Sequence, residues 1–311
     1  MTRPAPRHPR RLVYLGTPEM AVGPLHALHA AGFDIALVVS RADAKRGRGS
    51  ALIASPVKQA ALGLGLAVTD QIDDVLDVGA DLGVVVAYGR IIRPHVLDAL
   101  AMVNIHFSLL PRWRGAAPVE RAILAGDETT GVCVMAVEEG LDTGGIYAMA
   151  EVPIGSEQTA DDLRRELVGL GSRLLVDALH DGLGEPAEQV GETTYAEKLS
   201  PEDHHLDWTA SAVDLHRVIR LGQAWTTLRG RRLKIRAARV VDPAASASAA
   251  PDATSPPDLG PGELRGSLVG TGSGLLELLE VQPEGKGRQA AGDWARGARL
   301  ETGERLGQDP V

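Results

Sequence analysis

Asn104 and His106 stand two residues apart at the end of an apolar run, where residues 104–118 read NIHFSLLPRWRGAAP. On a strand, residues i and i+2 face the same way, so the amide and the imidazole share one side. A primary amide is a neutral donor that can hold a developing oxyanion, and a neutral imidazole can take a proton from an incoming nucleophile. Together they suit attack by an amine on a carbonyl-like carbon. Asp142, in the loop EGLDTGG, is the best candidate for a carboxylate that orients the imidazole, and its glycines let the backbone come close to a ligand. Ser108 beside His106 and an aspartate also permits a serine-hydrolase reading, although no G-x-S-x-G elbow surrounds it. The bland alternative is a pair of satisfied polar residues at a strand end.

The elements around the pair place it. RLVYLG, FDIALVVS and MVNIHF are strand-like, and LGVVVAYG is a near-continuous β-branched run of the kind buried on both faces of a parallel sheet. Between them come a helical pattern over residues 20–31, a helix opened by Ser55 as N-cap and Pro56 in its first turn, and a short helix opened by Pro94. A helix at 116–125, strand-like runs TTGVCVMAVE and GIYAMAEVPI, and a helix at 159–180 complete this half. Such alternation predicts an α/β fold with an open, Rossmann-like sheet, whose ligands sit at the carboxyl ends of the strands. Asn104 and His106 fall at such an end.

The second half changes character. A polar connection over residues 186–206 separates a catalytic domain, 1–185, from a C-terminal domain, 207–311. That domain has a helix near 211–221 and then strand-like segments, which predict a small β-barrel of OB-like type. A Pro/Ala/Ser-rich stretch near 242–261 interrupts them and reads as a disordered surface loop.

Composition narrows the function. Net charge is -9 with a pI near 5.5, which argues against a protein coated in nucleic acid. Local charge opposes the global sign: RGRRLKIRAAR carries Arg229, Arg231, Arg232, Lys234, Arg236 and Arg239 without an acid, a strip suited to a phosphate-bearing partner or else a solvated hairpin face. No apolar run approaches the roughly 20 residues of a membrane helix, so no membrane is expected. The single cysteine, Cys133, rules out an intramolecular disulfide and a thiolate metal cluster, and a cytoplasmic, metal-free protein is expected. Gly16 and Gly23 lack dinucleotide-fingerprint spacing, GTGSG falls between two strands, and RGRG is not a phosphate loop, so hydride transfer and ATP hydrolysis are poor fits.

The long stretch NIHFSLLPRWRGAAPVERAILAGDETTGVCVMAVEEGLDTGGIY resembles the 10-formyltetrahydrofolate-dependent formyltransferases, through Asn-x-His, Ser-Leu-Leu-Pro and the Asp-x-Gly that follows. GTPEMA, GRGSALIASPVK, VVVAYG, TYAEKLS, VQPEGKGRQ and GDWARGARL extend the resemblance along nearly the whole chain, toward members acting on methionyl-tRNA. The resemblance implies 10-formyltetrahydrofolate as co-substrate and the α-amino group of initiator methionyl-tRNA as acceptor. It implies that Asn104 polarises the formyl oxygen, His106 moves the amine proton and Asp142 orients the site. Ser108, Leu109, Leu110 and Pro111 match the folate-contacting segment, and Val86, Ala87 and Tyr88 the strand end lining the pterin pocket. Arg48 matches an arginine of a loop that reaches tRNA, but the usual Gly-Arg-Gly-Lys-Lys reads GRGSA, and Arg46 and Lys45 are the residues that keep this loop positive. Arg229, Arg231, Arg232 and Lys234 would hold the tRNA backbone through phosphate contacts. A sugar-amine or ribonucleotide formyltransferase, an RNA-binding module and a formylfolate hydrolase are the rival readings. Nothing in the sequence demands an oligomer, and a monomer is expected.

Overall fold

A computed structural model of the chain describes residues 3–45, 52–241 and 258–308. It divides into two compact units: residues 1–121, 128–154 and 162–198 form the first, and residues 122–127, 155–161 and 199–311 the second.

The strands and helices of the first half are β1 (Arg11–Gly16), α1 (Val22–Ala30), β2 (Asp34–Val39), β3 (Ala44–Lys45), β4 (Leu52–Ile53), α2 (Pro56–Gly63), β5 (Val68–Thr69), β6 (Leu82–Val86), α3 (Pro94–Ala99), β7 (Met102–His106), β8 (Arg114–Gly115), α4 (Pro118–Ala125), β9 (Thr129–Ala136), β10 (Ile146–Pro153), α5 (Ala160–Asp181) and β11 (Tyr195–Ala196). Seven of the strands form one sheet in the order β10-β9-β7-β6-β1-β2-β5. The stretch from β5 to β7 is parallel, while β9 and β10 close one edge antiparallel. All five residues of β6 are buried, as its unbroken β-branched run requires of a strand covered on both faces. Val13, Leu15, Val39, Val85 and Met102 build the core on one face with Val96 and Leu97 of α3. On the other face α5 lies so close that a Cβ on Gly171 would stand 3.0 Å from Ile105 and Val132 side-chain atoms. Each fully buried aliphatic side chain here contributes roughly 1.5–3 kcal/mol. Ser55 caps α2, accepting from the Lys58 N–H at 3.0 Å, with Pro56 in the first turn.

β1 is flanked by β2 on one side and β6 on the other, so the chain reverses its winding direction between β1 and β6. In open sheets ligands bind outside the carboxyl ends of the strands at such a point, here the ends of β1, β6 and β7, where Thr17 donates to the Tyr88 carbonyl at 3.3 Å.

The second unit contains α6 (Ala212–Arg220), β12 (Trp225–Leu228), β13 (Arg231–Val240), β14 (Leu264–Arg265), β15 (Leu268–Gly270), β16 (Leu275–Pro283), β17 (Gln289–Ala290) and α7 (Ala291–Ala298). Its strands form a curled antiparallel half-barrel, ordered β12-β13-β16-β15-β14 with β17 on β16. α6 turns Leu215 and Ile219 onto Leu233, Ile235, Leu276 and Leu278, with Trp208 and Trp294 in the same core. Most of the Pro/Ala/Ser-rich stretch, residues 242–257, lies outside the described residues.

Candidate active site

β7 carries Asn104 and His106 to the sheet's carboxyl edge, where Asn104 aligns with Val85 and Met135 and His106 with Cys133. His106 is buried and Asn104 half-buried. No hydrogen bond is made by the Asn104 amide among the described residues, so its N–H donors are free beside the imidazole. His106 Nε2 faces the Trp113 carbonyl at 2.8 Å. A carbonyl only accepts, so Nε2 carries the proton and the neutral ring keeps its lone pair at Nδ1. Nδ1 faces Asp142 Oδ2 at 3.6 Å. Burial pushes the His106 pKa below its ordinary value, against the opposing pull of the Asp142 carboxylate and the Trp113 carbonyl. Desolvation is the strongest of the three, and it favours the neutral imidazole, the form whose Nδ1 lone pair can take a proton.

Two loops hold this pair. Gly115 N–H donates to Asp142 Oδ2 at 2.8 Å, so residues 113–115 contact His106 with a carbonyl and Asp142 with an amide. That bracket is held by residues 186–196, which the sequence presents as a polar connection ending in the start of TYAEKLS. Trp113 N–H donates to Thr194 Oγ1 at 2.9 Å, and β11 pairs with β8. Gln189 reaches the other loop, its Nε2 donating to the carbonyls of Asp142 and Gly144, each at 2.8 Å. The roles of Gln189 and Thr194 escape sequence reading because each acts on loops roughly 45 to 81 residues away, and no period marks such a contact.

Five described non-glycine residues have positive φ, and three of them are here: Ala87 at 46°, Trp113 at 64° and Asp142 at 49°. Such conformations cost of order 1–3 kcal/mol each and gather at functional sites. The glycines after Asp142 are required by the protein's own packing. A Cβ on Gly144 would stand 2.1 Å from the Ala136 carbonyl, and one on Gly145 2.9 Å from Pro186 Cβ.

The remaining candidates fall in several places. Ser108 is fully buried and its hydroxyl donates to the Arg112 carbonyl at 2.6 Å, while Leu110 packs on Cys133 and Met135. Leu109 is half-buried and Pro111 buried. Cys133 donates its S–H to the Ser108 carbonyl at 3.1 Å, and burial pushes its thiol up to about 11. Val86 and Tyr88 are buried and Ala87 is half-buried at the switch point. Lys45 is exposed on β3, whereas Arg46 and Arg48 lie outside the described residues. The basic strip separates into two groups. Arg229 pairs with Glu304, Arg236 with Gln282 and Arg239 with Glu277. Arg231, Arg232 and Lys234 have no ion pair among the described residues, and Arg232 lies over the Trp225 ring at 4.2 Å. No helix among the described residues is long and apolar enough to cross a membrane, and no described cluster of three His, Cys, Asp or Glu could hold a metal ion.

Comparison with known proteins places this geometry. Residues 10–179 match the family described as Formyl transferase, and residues 198–299 match Formyl transferase, C-terminal domain. The chain is 42% identical over 320 residues to methionyl-tRNA formyltransferase of Streptomyces coelicolor, covering 96% of this chain and 99% of that protein. It is 42% identical over 322 residues to the Thermobifida fusca protein of the same name, covering 96% and 100%. Among solved structures, the N-formyltransferase of Helicobacter canadensis, in complex with folinic acid and dTDP-3-aminofucose, is similar with a TM-score of 0.63 at 16% identity, covering 88% of this chain and 99% of that one. HypX from Aquifex aeolicus, in complex with tetrahydrofolic acid, gives 0.62 at 15% identity, covering 98% of this chain and 49% of that one. These two structures share the fold, and the sequence matches over both units carry the kinship: the chain belongs to the formyl transferase family.

Proposed function

We propose that this enzyme transfers the formyl group of 10-formyltetrahydrofolate to the α-amino group of methionine esterified to initiator tRNA. The observation that carries the chemistry is the 3.6 Å separation of His106 Nδ1 and Asp142 Oδ2 beside the unbonded Asn104 amide. A nitrogen placed within hydrogen-bond reach of both, about 3 Å from each, fits against that pair. The relatives named for methionyl-tRNA match along almost their whole length, which supports the acceptor.

10-Formyltetrahydrofolate supplies the electrophilic carbon when bound. The group would lie at the switch point, where the buried Val86 and Tyr88 offer an apolar wall beneath a flat ring. Ala87, Leu109 and Pro111 border the same loops, whereas Ser108 and Leu110 act by shaping the turn from inside. Asn104 donates toward the formyl oxygen as negative charge gathers there. An α-amino group has a pKa near ~8, so a base that removes its proton raises the reactive fraction. His106 accepts that proton at Nδ1 while Nε2 stays bonded to the Trp113 carbonyl, and the imidazolium so formed faces Asp142. The same proton then goes to the nitrogen that departs from the formyl carbon.

Binding of tRNA rests on Arg231, Arg232 and Lys234, the unpaired part of the strip, and on the positive loop of Lys45, Arg46 and Arg48. Formyl transfer to initiator methionyl-tRNA, measured beside elongator methionyl-tRNA and a sugar amine, tests the proposal. Initiator-selective product supports it. Formate release without transfer, or transfer to the sugar amine alone, would overturn the acceptor.

A further inference from the structure

We infer that Gln189 is a positioning residue for this reaction, holding the Asp142 loop at the distance from His106 that proton transfer needs. The inference rests on the reading of Asn104, His106 and Asp142 given above. Every hydrogen-bonding group of the Gln189 amide is used. Oε1 accepts from Arg114 Nε at 3.1 Å and Nη2 at 2.6 Å, and Nε2 donates to the carbonyls of Asp142 and Gly144 at 2.8 Å each. The orientation is unambiguous, because a rotated amide would set N–H groups against a guanidinium and an oxygen against two carbonyls.

The arrangement joins the two halves of the bracket. Arg114 belongs to β8, whose neighbours Trp113 and Gly115 contact His106 and Asp142. Asp142 itself is at φ 49°, a conformation a non-glycine residue keeps only when its surroundings fix it. Gln189 does so from the backbone side: it binds the Asp142 carbonyl while Gly115 binds the carboxylate. Residues 187 and 146 also exchange both backbone hydrogen bonds, at 2.7 and 2.9 Å, so the segment bearing Gln189 is anchored next to the loop it holds. The side chain is half-buried and touches none of the catalytic side chains directly. Its effect on chemistry passes through the Asp142 backbone.

The isosteric change Gln189→Glu separates this role from simple packing. A glutamate keeps the Arg114 partner, yet it turns an oxygen toward the Asp142 and Gly144 carbonyls. Both Gln189→Glu and Gln189→Ala should lower kcat roughly 10- to 100-fold with KM for the formyl donor changed little, the cost of misplacing a catalytic group. Arg114→Ala, which leaves both donors present, should lose less. In Gln189→Ala the His106 titration, followed by NMR of the folded protein without substrates, should move to lower pH as Asp142 draws away from the ring. Wild-type kcat in Gln189→Glu, or an unmoved His106 titration in Gln189→Ala, would overturn the inference. If the wild-type protein itself formylates no acceptor, the functional reading fails instead, while the titration still tests the role of Gln189 in placing Asp142.

Discussion

The Trp113 carbonyl, 2.8 Å from His106 Nε2, fixes which imidazole nitrogen can accept a proton. With Nε2 committed to that carbonyl, base chemistry is confined to Nδ1, the atom facing Asp142. A backbone atom seven residues downstream thereby decides the tautomer of the base.

The first consequence is a pH dependence. His106 must be neutral to accept a proton, and burial holds its pKa below the ordinary ~6.5. The acid limb of kcat/KM should therefore fall below pH about 6.5. Asp142 is a group that raises this pKa, so Asp142→Asn should carry the limb lower, along with a fall in rate. A limb displaced upward would contradict the arrangement. Stability follows the same sign: an unfolded histidine binds its proton at higher pH than the buried one, so the contribution of His106 is complete above about pH 6.5 and is lost as pH falls toward the folded value. Thermal melts across this range measure it.

Asn104 and His106 should fail differently. Asn104→Ala should reduce kcat by about 10²–10³-fold, as loss of an oxyanion donor does. His106→Ala should reduce it by about 10²–10⁴-fold, and raising pH should restore part of the rate by deprotonating the amine without a base. The Asn104 variant should gain no such relief, and single-turnover rates against pH distinguish the two.

The paired and unpaired arginines of the strip should separate in salt titrations. Changing both Arg231 and Arg232 to Ala should lower the slope of log K for tRNA against log salt by about 0.9 for each phosphate that is no longer neutralised. Arg229→Ala should leave that slope alone and lower the melting temperature, because Arg229 is bound to Glu304 through two hydrogen bonds. An unchanged slope in the double variant would make that part of the strip solvated surface.

Gly144→Ala should disturb the Asp142 loop without touching any reacting group. Its methyl would stand 2.1 Å from the Ala136 carbonyl, an approach that forces the loop off β9. Overpacking of this kind costs typically 1–3 kcal/mol. A denaturant midpoint lowered together with kcat is the expected result, and a variant of wild-type stability and rate would show the loop to be loosely held.

Much of this architecture could be read from the residues. LGVVVAYG announces a doubly covered strand because continuous β-branching has few other uses. Asn104 and His106 are legible because strand parity puts them on one side, and Ser55-Pro56 marks the start of α2 by its chemistry. What escapes is whatever acts across long separations through side-chain hydrogen bonds. The partnered members of RGRRLKIRAAR look identical to the free ones in sequence, since Glu304, Gln282 and Glu277 lie 75, 46 and 38 residues from the arginines they meet. Gln189 and Thr194 are hidden for the same reason. Two-residue strands such as β8 and β11 carry no alternation long enough to see.

The burial of Cys133 has a practical reach. Its sulfur has no accessible surface to offer a reagent, and its thiol, pushed up to about 11, is almost wholly un-ionised at neutral pH. It is the sole cysteine of the chain. A cysteine engineered onto any surface position would therefore stand as the single reactive sulfhydryl. Fluorophores or spin labels could be attached one at a time to the native background, with no need to remove a thiol first.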